Sequence, residues 1–163
     1  MAATPISSIT KYTSRGTTKI YWVPAIADPT APTRTELDDG TDLSKQIADA
    51  SGWSVSSEQL ETPDLDTRYT STIPGVISAE DSTLVMYMDK EGVDARGLMP
   101  RDETGFIAIM DGGDVAANLC DVFPVAVTSV SKMRSVAGSD ADRLTFSFAI
   151  TEEPSEDITV PAA

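Results

Sequence analysis

Apolar and polar residues alternate along several short segments of the chain. The clearest case is residues 142–154, DRLTFSFAITEEP, in which Leu144, Phe146, Phe148 and Ile150 fall on one side and small residues on the other. Because successive side chains of a strand point to opposite faces, this segment is predicted to be a half-buried β-strand. The second face of this strand could meet water, a ligand or another subunit. Which of these it meets decides whether the chain is an enzyme, a binding module or a building block of an assembly.

The same reasoning predicts six further strands, which are rich in β-branched and aromatic residues and separated by proline- and glycine-rich turns. Their predicted bounds are 18–26, 53–60, 67–73, 79–89, 105–113 and 119–133. Pro124 in the last of these favours an edge or a bulge, because proline cannot donate a ladder hydrogen bond. AGSDAD (137–142) is predicted to be the turn that makes the last two strands a hairpin.

Two segments carry a helical pattern. Leu43, Ile47 and Ala50 recur at helical spacing within residues 42–52, and a weaker pattern over 90–104 indicates a short helix or crossover. Residues 27–41 are predicted to be a loop. We therefore predict an N-terminal arm (1–17) and one mainly β domain (18–163), a β-sandwich or partly closed barrel with a short flanking α-helix.

Charge is distributed unevenly along this acidic chain, whose net charge is −14. Residues 1–35 carry four basic residues and one acidic residue, whereas residues 36–163 carry eight basic and twenty-five acidic residues. A strongly acidic surface repels nucleic acid. A basic arm on an acidic body is suited to docking on a neighbouring copy, although acidic residues also serve simply to maintain solubility.

The expected compartment follows from the cysteine content and from the absence of long apolar runs. The single cysteine, Cys120, cannot form an internal disulfide, so nothing indicates an oxidising compartment. The N-terminus lacks the apolar region of a signal peptide, and no apolar run reaches the ~20 residues of a membrane helix. We expect a soluble protein made in a cytoplasm, with no membrane association.

Candidate chemistry is sparse. The chain has no histidine, which removes the commonest general base and a usual zinc ligand. Ser8 and Lys11 match a Ser-x-x-Lys dyad, but a polar arm cannot desolvate the lysine. The DGGD at 111–114 lacks the spacing of a calcium loop and is better explained as a polar turn. Trp22 and Trp53 are either core aromatics or a sugar-stacking platform. We expect no enzymatic activity, no metal and no cofactor.

Several segments, taken in order, resemble the major tail tube proteins of long-tailed (siphovirus-like) bacteriophages. They are TELDDGTDLSKQIADASGW (35–53), GVISAEDSTLVMYMD (75–89), GLMPRDETGFIAIMDGG (97–113), CDVFPVAVTSVSKM (120–133) and LTFSFAITEEP (144–154). The resemblance covers about residues 18–160. It depends on the order and pattern of the segments, since this family has no catalytic signature.

The resemblance implies a virion structural protein of the phage tail, assembled in the host bacterial cytoplasm. Its copies would form hexameric rings that stack helically into a hollow tube, through which genomic DNA passes without specific binding. The implied partners are further copies of the chain, a tape-measure protein, a tail terminator and baseplate hub proteins. The alternative is a monomeric β-sandwich that binds carbohydrate through Trp22 or Trp53.

Two sets of residues are candidates for roles in such a tube. Acidic residues close to the bore would repel phosphate, because salt screens the repulsion beyond about 8 Å. The candidate lumen-facing acids are Glu58, Glu61, Asp64, Asp66, Asp140 and Asp142. The candidate subunit or inter-ring contacts are Lys11, Arg15, Lys19, Arg34, Arg68 and Tyr69. The loop 27–41, the segment 61–78 and the C-terminal EDITVPAA are also expected to become ordered when rings stack.

Overall fold

The computed structural model describes residues 3, 5–136 and 140–162. They contain ten strands and one short helix. In chain order these are β1 (Lys19–Val23), α1 (Arg34–Asp38), β2 (Thr41–Asp42), β3 (Ile47–Ser51), β4 (Val55–Thr62), β5 (Ser71–Ala79), β6 (Ser82–Tyr87), β7 (Thr104–Met110), β8 (Leu119–Met133), β9 (Arg143–Ile150) and β10 (Ser155–Thr159). The predicted mainly β fold class is confirmed.

A short segment of chain brings the two ends of the larger sheet together. This eight-stranded antiparallel sheet has the order β2-β1-β7-β8-β9-β6-β3, with β10 paired to β8 beside this path. Although β2 and β3 stand at its two ends, they are separated in the chain by residues 43–46 alone. The Leu43 N–H donates to the Ile20 carbonyl at 2.9 Å, and the Tyr87 N–H donates to the Gln46 carbonyl at 2.8 Å. Because one segment pairs with both ends, the sheet curls into a partly closed barrel.

Large apolar side chains fill the inside of this barrel. Trp22, Phe123, Phe146 and Phe148 are each at most 2% exposed. Trp53 packs against two of them, with its ring centroid 5.3 Å from Phe123 and 5.5 Å from Phe148. Burying aromatic surface of this extent is a main source of stability in a chain of this size.

A second, smaller core lies on the outer face of β1, β7 and β8. It contains Val23, Met110 and Val122 from the strands, together with Leu37 from α1 and Val160 from the segment after β10. The central strands are therefore covered on both faces, which explains why their buried residues do not alternate strictly.

The helix predicted over residues 42–52 is wrong. This segment forms the end of β2, a turn and β3, because pairing with β1 and β6 satisfies its backbone groups. A helix of that length has little stability of its own, so tertiary pairing prevails over the local pattern. The helical interpretation of residues 90–104 is also wrong, since residues 90–103 connect β6 to β7 through a series of turns.

The helix that does form, α1, lies within the predicted loop 27–41. Thr33 is its N-cap: the Glu36 N–H donates to Thr33 Oγ1 at 3.3 Å, and the Thr33 N–H donates to the Glu36 carboxylate at 2.7 Å. This reciprocal pair is a capping box, and its Thr-x-x-Glu pattern is visible in the sequence.

The seven predicted strands are all present; β8 has the predicted bounds and the other six have shifted bounds, whereas β2, β3 and β10 were not predicted as strands. The largest shift is in β5, which was predicted at 67–73 and extends over Ser71–Ala79. Pro124 lies in the interior of the sheet. On one side of β8, Val122 pairs with β10 and Val125 pairs with β9, and Pro124 falls between these two paired positions. The register shift of β8 falls later, between Val127 and Ser129. Of the predicted turn 137–142, residues 137–139 lie outside the described residues.

Gly105 offers a direct test of core packing. A Cβ at this position would lie 2.6 Å from the Trp22 ring and 3.0 Å from the Val23 carbonyl oxygen. We expect Gly105→Ala to lower the free energy of unfolding by about 1–3 kcal/mol through overpacking, measured by urea denaturation. Gly97→Ala is the control, because no heavy atom lies within 4 Å of its added Cβ. Its effect should stay within ~0.5 kcal/mol, and equal effects of the two variants would contradict the packing described.

Candidate assembly surface

The β4–β5 hairpin is the least buried part of the sheet structure. Its two strands pair with each other in a separate sheet, over the register from Val55↔Ala79 to Thr62↔Ser71. Nearly every residue along both strands is exposed. A two-stranded hairpin solvated on both faces is marginally stable by itself in water, so this element is suited to gaining a partner.

Apolar side chains stand on this exposed hairpin. Leu60 and Ile73 are directly opposed across the strands and are 47% and 50% exposed. Val76 and Ile77 are 68% and 58% exposed, and they lie beside a register shift between Ser57 and Gln59 on the other strand. Opposed apolar pairs stabilise sheets when they are covered, and here the described residues leave them open to solvent.

Four of the six predicted lumen-facing acids lie on this hairpin. Because side chains alternate along a strand, Glu58 shares a face with Leu60 while Glu61 points to the opposite face. Asp64 and Asp66 are in the connecting loop, where Asp64 Oδ1 accepts hydrogen bonds from the N–H groups of Asp66 and Thr67, both at 2.9 Å. Asp64 therefore has a local role in shaping the turn.

The other two acids, Asp140 and Asp142, are distant from the hairpin. The hairpin joins the barrel at the start of β6, where Ser82 Oγ donates to the Gly52 carbonyl at 2.8 Å. Asp142 lies at the far end of β6, where its carbonyl accepts from the Met88 N–H. At about 3.4 Å per residue, the two ends are roughly 20 Å apart. The structure thus separates the six acids into two groups.

Two of the six predicted contact residues are engaged within the subunit. Lys19 Nζ lies 2.8 Å from Asp42 Oδ2. Arg34 pairs with Asp38 on its own helix and with Asp114, whose Oδ2 lies 2.8 Å from Arg34 Nη2. The remaining four residues are exposed, two on the arm and two in the hairpin loop: Lys11, Arg15, Arg68 and Tyr69.

Asp114 is the centre of a polar cluster that attaches α1 to β1, and the charge pattern of the sequence did not reveal it. Besides Arg34, Asp114 accepts a hydrogen bond from the Tyr21 hydroxyl at 3.0 Å. The hydrogen bond from Arg34 is the largest cause that holds the pKa of Asp114 below its ordinary value. Burial, assisted by the hydrogen bond to Asp114, raises the pKa of Tyr21 to about 12. The DGGD segment thus contributes a structural anchor as well as a turn.

The two tryptophans do not form a sugar-stacking platform. Trp22 is 2% exposed inside the barrel. Trp53 packs against the same core, and its Nε1–H donates to the Thr83 carbonyl at 3.2 Å. Within the described ranges, no group of three or more His, Cys, Asp or Glu side chains is arranged to hold a metal ion. The described helix is also neither long nor apolar enough to cross a membrane.

Comparison with known families identifies the fold. The family model described as "Phage tail tube protein" matches residues 6–163. The chain belongs to this family of phage tail tube proteins, and the resemblance inferred from its sequence segments is confirmed. Membership indicates a structural component of the virion tail, and it favours a structural role over an enzymatic one. No curated protein sequence matches the chain.

Solved structures share the fold at low sequence identity. One is a chain of "Cryo-EM Structure of an Extracellular Contractile Injection System, PVC sheath/tube terminator in extended state", with 11% identity, a TM-score of 0.63, and coverage of 90% of this chain and 97% of the other. Another is a chain of "Cryo-EM structure of the anti-feeding prophage (AFP) baseplate, 6-fold symmetrised", with 9% identity, a TM-score of 0.58, and coverage of 93% and 95%.

Titration of Tyr21 tests the polar cluster. Because the folded state favours the neutral phenol, the stability that this group contributes is present below pH 10.0 and is lost as pH rises through about 12. In a titration of tyrosinate ultraviolet absorbance, we expect Tyr21→Phe to lack a step near pH 12. Asp114→Asn should lower the pKa of Tyr21 while leaving it above 10.0, because burial is its larger cause. An unchanged profile in Tyr21→Phe would contradict the assignment.

Proposed function

We propose that this chain assembles into hexameric rings that stack into the hollow tail tube through which genomic DNA passes. The observation that carries the proposal is the solvated β4–β5 hairpin with its exposed Leu60–Ile73 pair, in a chain of the phage tail tube family. A ring or stack needs one surface on each copy that complements a different surface on the next. The hairpin is an element of this kind, because its faces and outer edges lack a partner among the described residues.

Closure of the barrel makes the hairpin the natural contact. Strands β1 and β6 to β9 have a paired strand on each side within the subunit, so they offer little edge to a neighbour. The outer edges of β4 and β5 retain free backbone groups, and an added strand pairs with such edges. Covering Leu60, Ile73, Val76 and Ile77 would also remove their apolar surface from water.

We propose further that acidic residues of each subunit line the bore. The candidates are Glu58, Glu61, Asp64, Asp66, Asp140 and Asp142. Glu58 and Glu61 point to opposite faces of the hairpin. If one face of a flat hairpin is turned to the bore, one of these side chains points into the bore and the other points away from it. Carboxylates near the path of DNA repel phosphate at short range, which lets the polyanion slide without being held.

In the proposed tube, the protein would have several binding partners. They are neighbouring copies of the chain, a tape-measure protein that the tube encloses during assembly, a tail terminator and baseplate hub proteins. Assembly would take place in the host bacterial cytoplasm. A carbohydrate-binding module is not favoured, because Trp22 is buried and the partly buried Trp53 packs against the core, so both rings are engaged within the subunit.

The hairpin's role in assembly is testable with a double substitution. We expect Leu60→Thr with Ile73→Thr to keep the fold, because both side chains are about half exposed and threonine suits a strand. Tube formation, observed by negative-stain microscopy and by light scattering after size exclusion, should be lost. The matched control is Val93→Thr with Val115→Thr, at two exposed loop positions, which should assemble normally. A wild-type chain that stays monomeric even when mixed with tail initiation complexes would overturn the proposed function.

Charge reversal tests the lining of the bore. Glu58→Lys with Asp66→Lys avoids Asp64, which shapes the turn. We expect phage carrying this variant to build tubes of normal length but to eject DNA several-fold more slowly, because lysines bind phosphate. The slowing should diminish at high salt. Ejection kinetics equal to those of wild type at low salt would place both residues away from the bore.

A further inference from the structure

A cleft lies between the base of the β4–β5 hairpin and the connection from β9 to β10. It has a volume of about 240 Å³ and is lined by Val55, Ser56, Ser57, Ile77, Glu153, Pro154 and Glu156. Val55, Ile77 and Pro154 supply apolar surface, while Glu153 and Glu156 place carboxylates at its side. This volume is below the range of roughly 300–1,000 Å³ typical of small-molecule sites, so the cleft suits one or two side chains of a polypeptide.

Over residues 5–17, the N-terminal arm has an apolar and basic character that complements the cleft. It carries Lys11 and Arg15 and no acidic residue, whereas residues 150–162 carry four acidic residues and no basic one. Ile6 and Ile9 of the arm are 95% and 76% exposed, which is unusual for isoleucine. In an extended chain, Ile9 and Lys11 project on the same side, so one face of the arm presents an apolar and a basic group together.

The arm makes few contacts with its own subunit before Tyr12. Tyr12 lines a shallow pocket beside Asp111, Asn118 and Asp157 of the same chain, and Thr18 Oγ1 donates to the Asp111 carbonyl. Residues 3 and 5–11 are exposed. The arm is thus anchored near β10 while its apolar side chains lack cover within the described part of the subunit.

We infer that the N-terminal arm of one copy docks in the hairpin-base cleft of a second copy. Ile9 packs on Val55, Ile77 and Pro154, and Lys11 pairs with Glu153 or Glu156. This inference depends on the proposed tube function, because it names the partner that occupies one assembly surface. It also gives a role to the excess of basic over acidic residues at the beginning of the chain: a basic arm is attracted to the acidic body of a neighbour and remains extended until it is captured.

Disulfide trapping between two differently tagged copies tests this contact. One copy carries Ile9→Cys and the other Ser57→Cys, and Cys120 is 2% exposed and so does not interfere. Mixed assemblies should give an oxidised product joining the two tags. The same arm variant mixed with Lys90→Cys, an exposed position away from the cleft, should not. Cross-linking within one chain in an Ile9→Cys/Ser57→Cys monomer, with no product between tags in assemblies, would overturn the inference in favour of docking within the subunit.

Charge exchange supplies a second readout. We expect Lys11→Glu with Arg15→Glu to raise the concentration needed for assembly by about tenfold, since each exposed ion pair contributes modestly. Adding Glu153→Lys and Glu156→Lys to that variant should restore assembly. Lys90→Glu with Arg101→Glu is the matched control, because it makes the same charge change at exposed positions elsewhere. Unaltered assembly of the arm variant would refute the docking while leaving the tube function intact, whereas failure of the wild type to assemble would refute the tube itself.

Discussion

Closure of the barrel by residues 41–51 is the constraint on which the rest of the structure depends. This segment pairs with β1 at one end of the sheet and with β6 at the other. Only residues 43–46 separate its two strands, and this connection is too short to span the width of an open sheet. Once the sheet is closed, Trp22 and the phenylalanines of β8 and β9 point into one interior and are removed from water. Breaking either pairing would expose that interior.

Closure also limits which strand edges of the subunit remain unpaired. The partly closed barrel pairs β1 and β6 to β9 on both sides, and edges paired in this way are protected against uncontrolled association. The edge of β10 is made less regular by a register shift, by Asp157 in the left-handed region (φ 56°) and by the nearby Pro154 and Pro161. Among the described residues, the β4–β5 hairpin and the N-terminal arm are both exposed and partly apolar. In the proposed assembly, contacts would therefore lie on parts that do not carry the core.

The strands were predictable from the sequence where one face is buried and the other is not. In β9, Leu144, Phe146 and Phe148 are buried at alternate positions, as the pattern indicated. The segment 42–52 misled because apolar spacing over eleven residues fits a helix as well as a strand that bends between two partners. The helix α1 was missed although Thr33 and Glu36 form a recognisable capping box, since the surrounding prolines and acidic residues indicated a loop. The candidate site residues were harder to predict than the strands. Many residues of the chain are both charged and exposed, and the sequence does not distinguish those that form a contact from the rest.

The sequence by itself determined the mainly β character, the uneven charge, the absence of histidine and the ordered segments that indicate the tail tube family. These are local or compositional properties, which do not depend on which strands become neighbours. The tertiary structure alone decided that β2 and β3 close a barrel, that Arg34 and Lys19 are engaged within the subunit, and that the six acids fall into two groups. Each of these features depends on contacts between residues that are distant in the chain. The pattern of residues along one segment does not show which other segment will pack or pair with it.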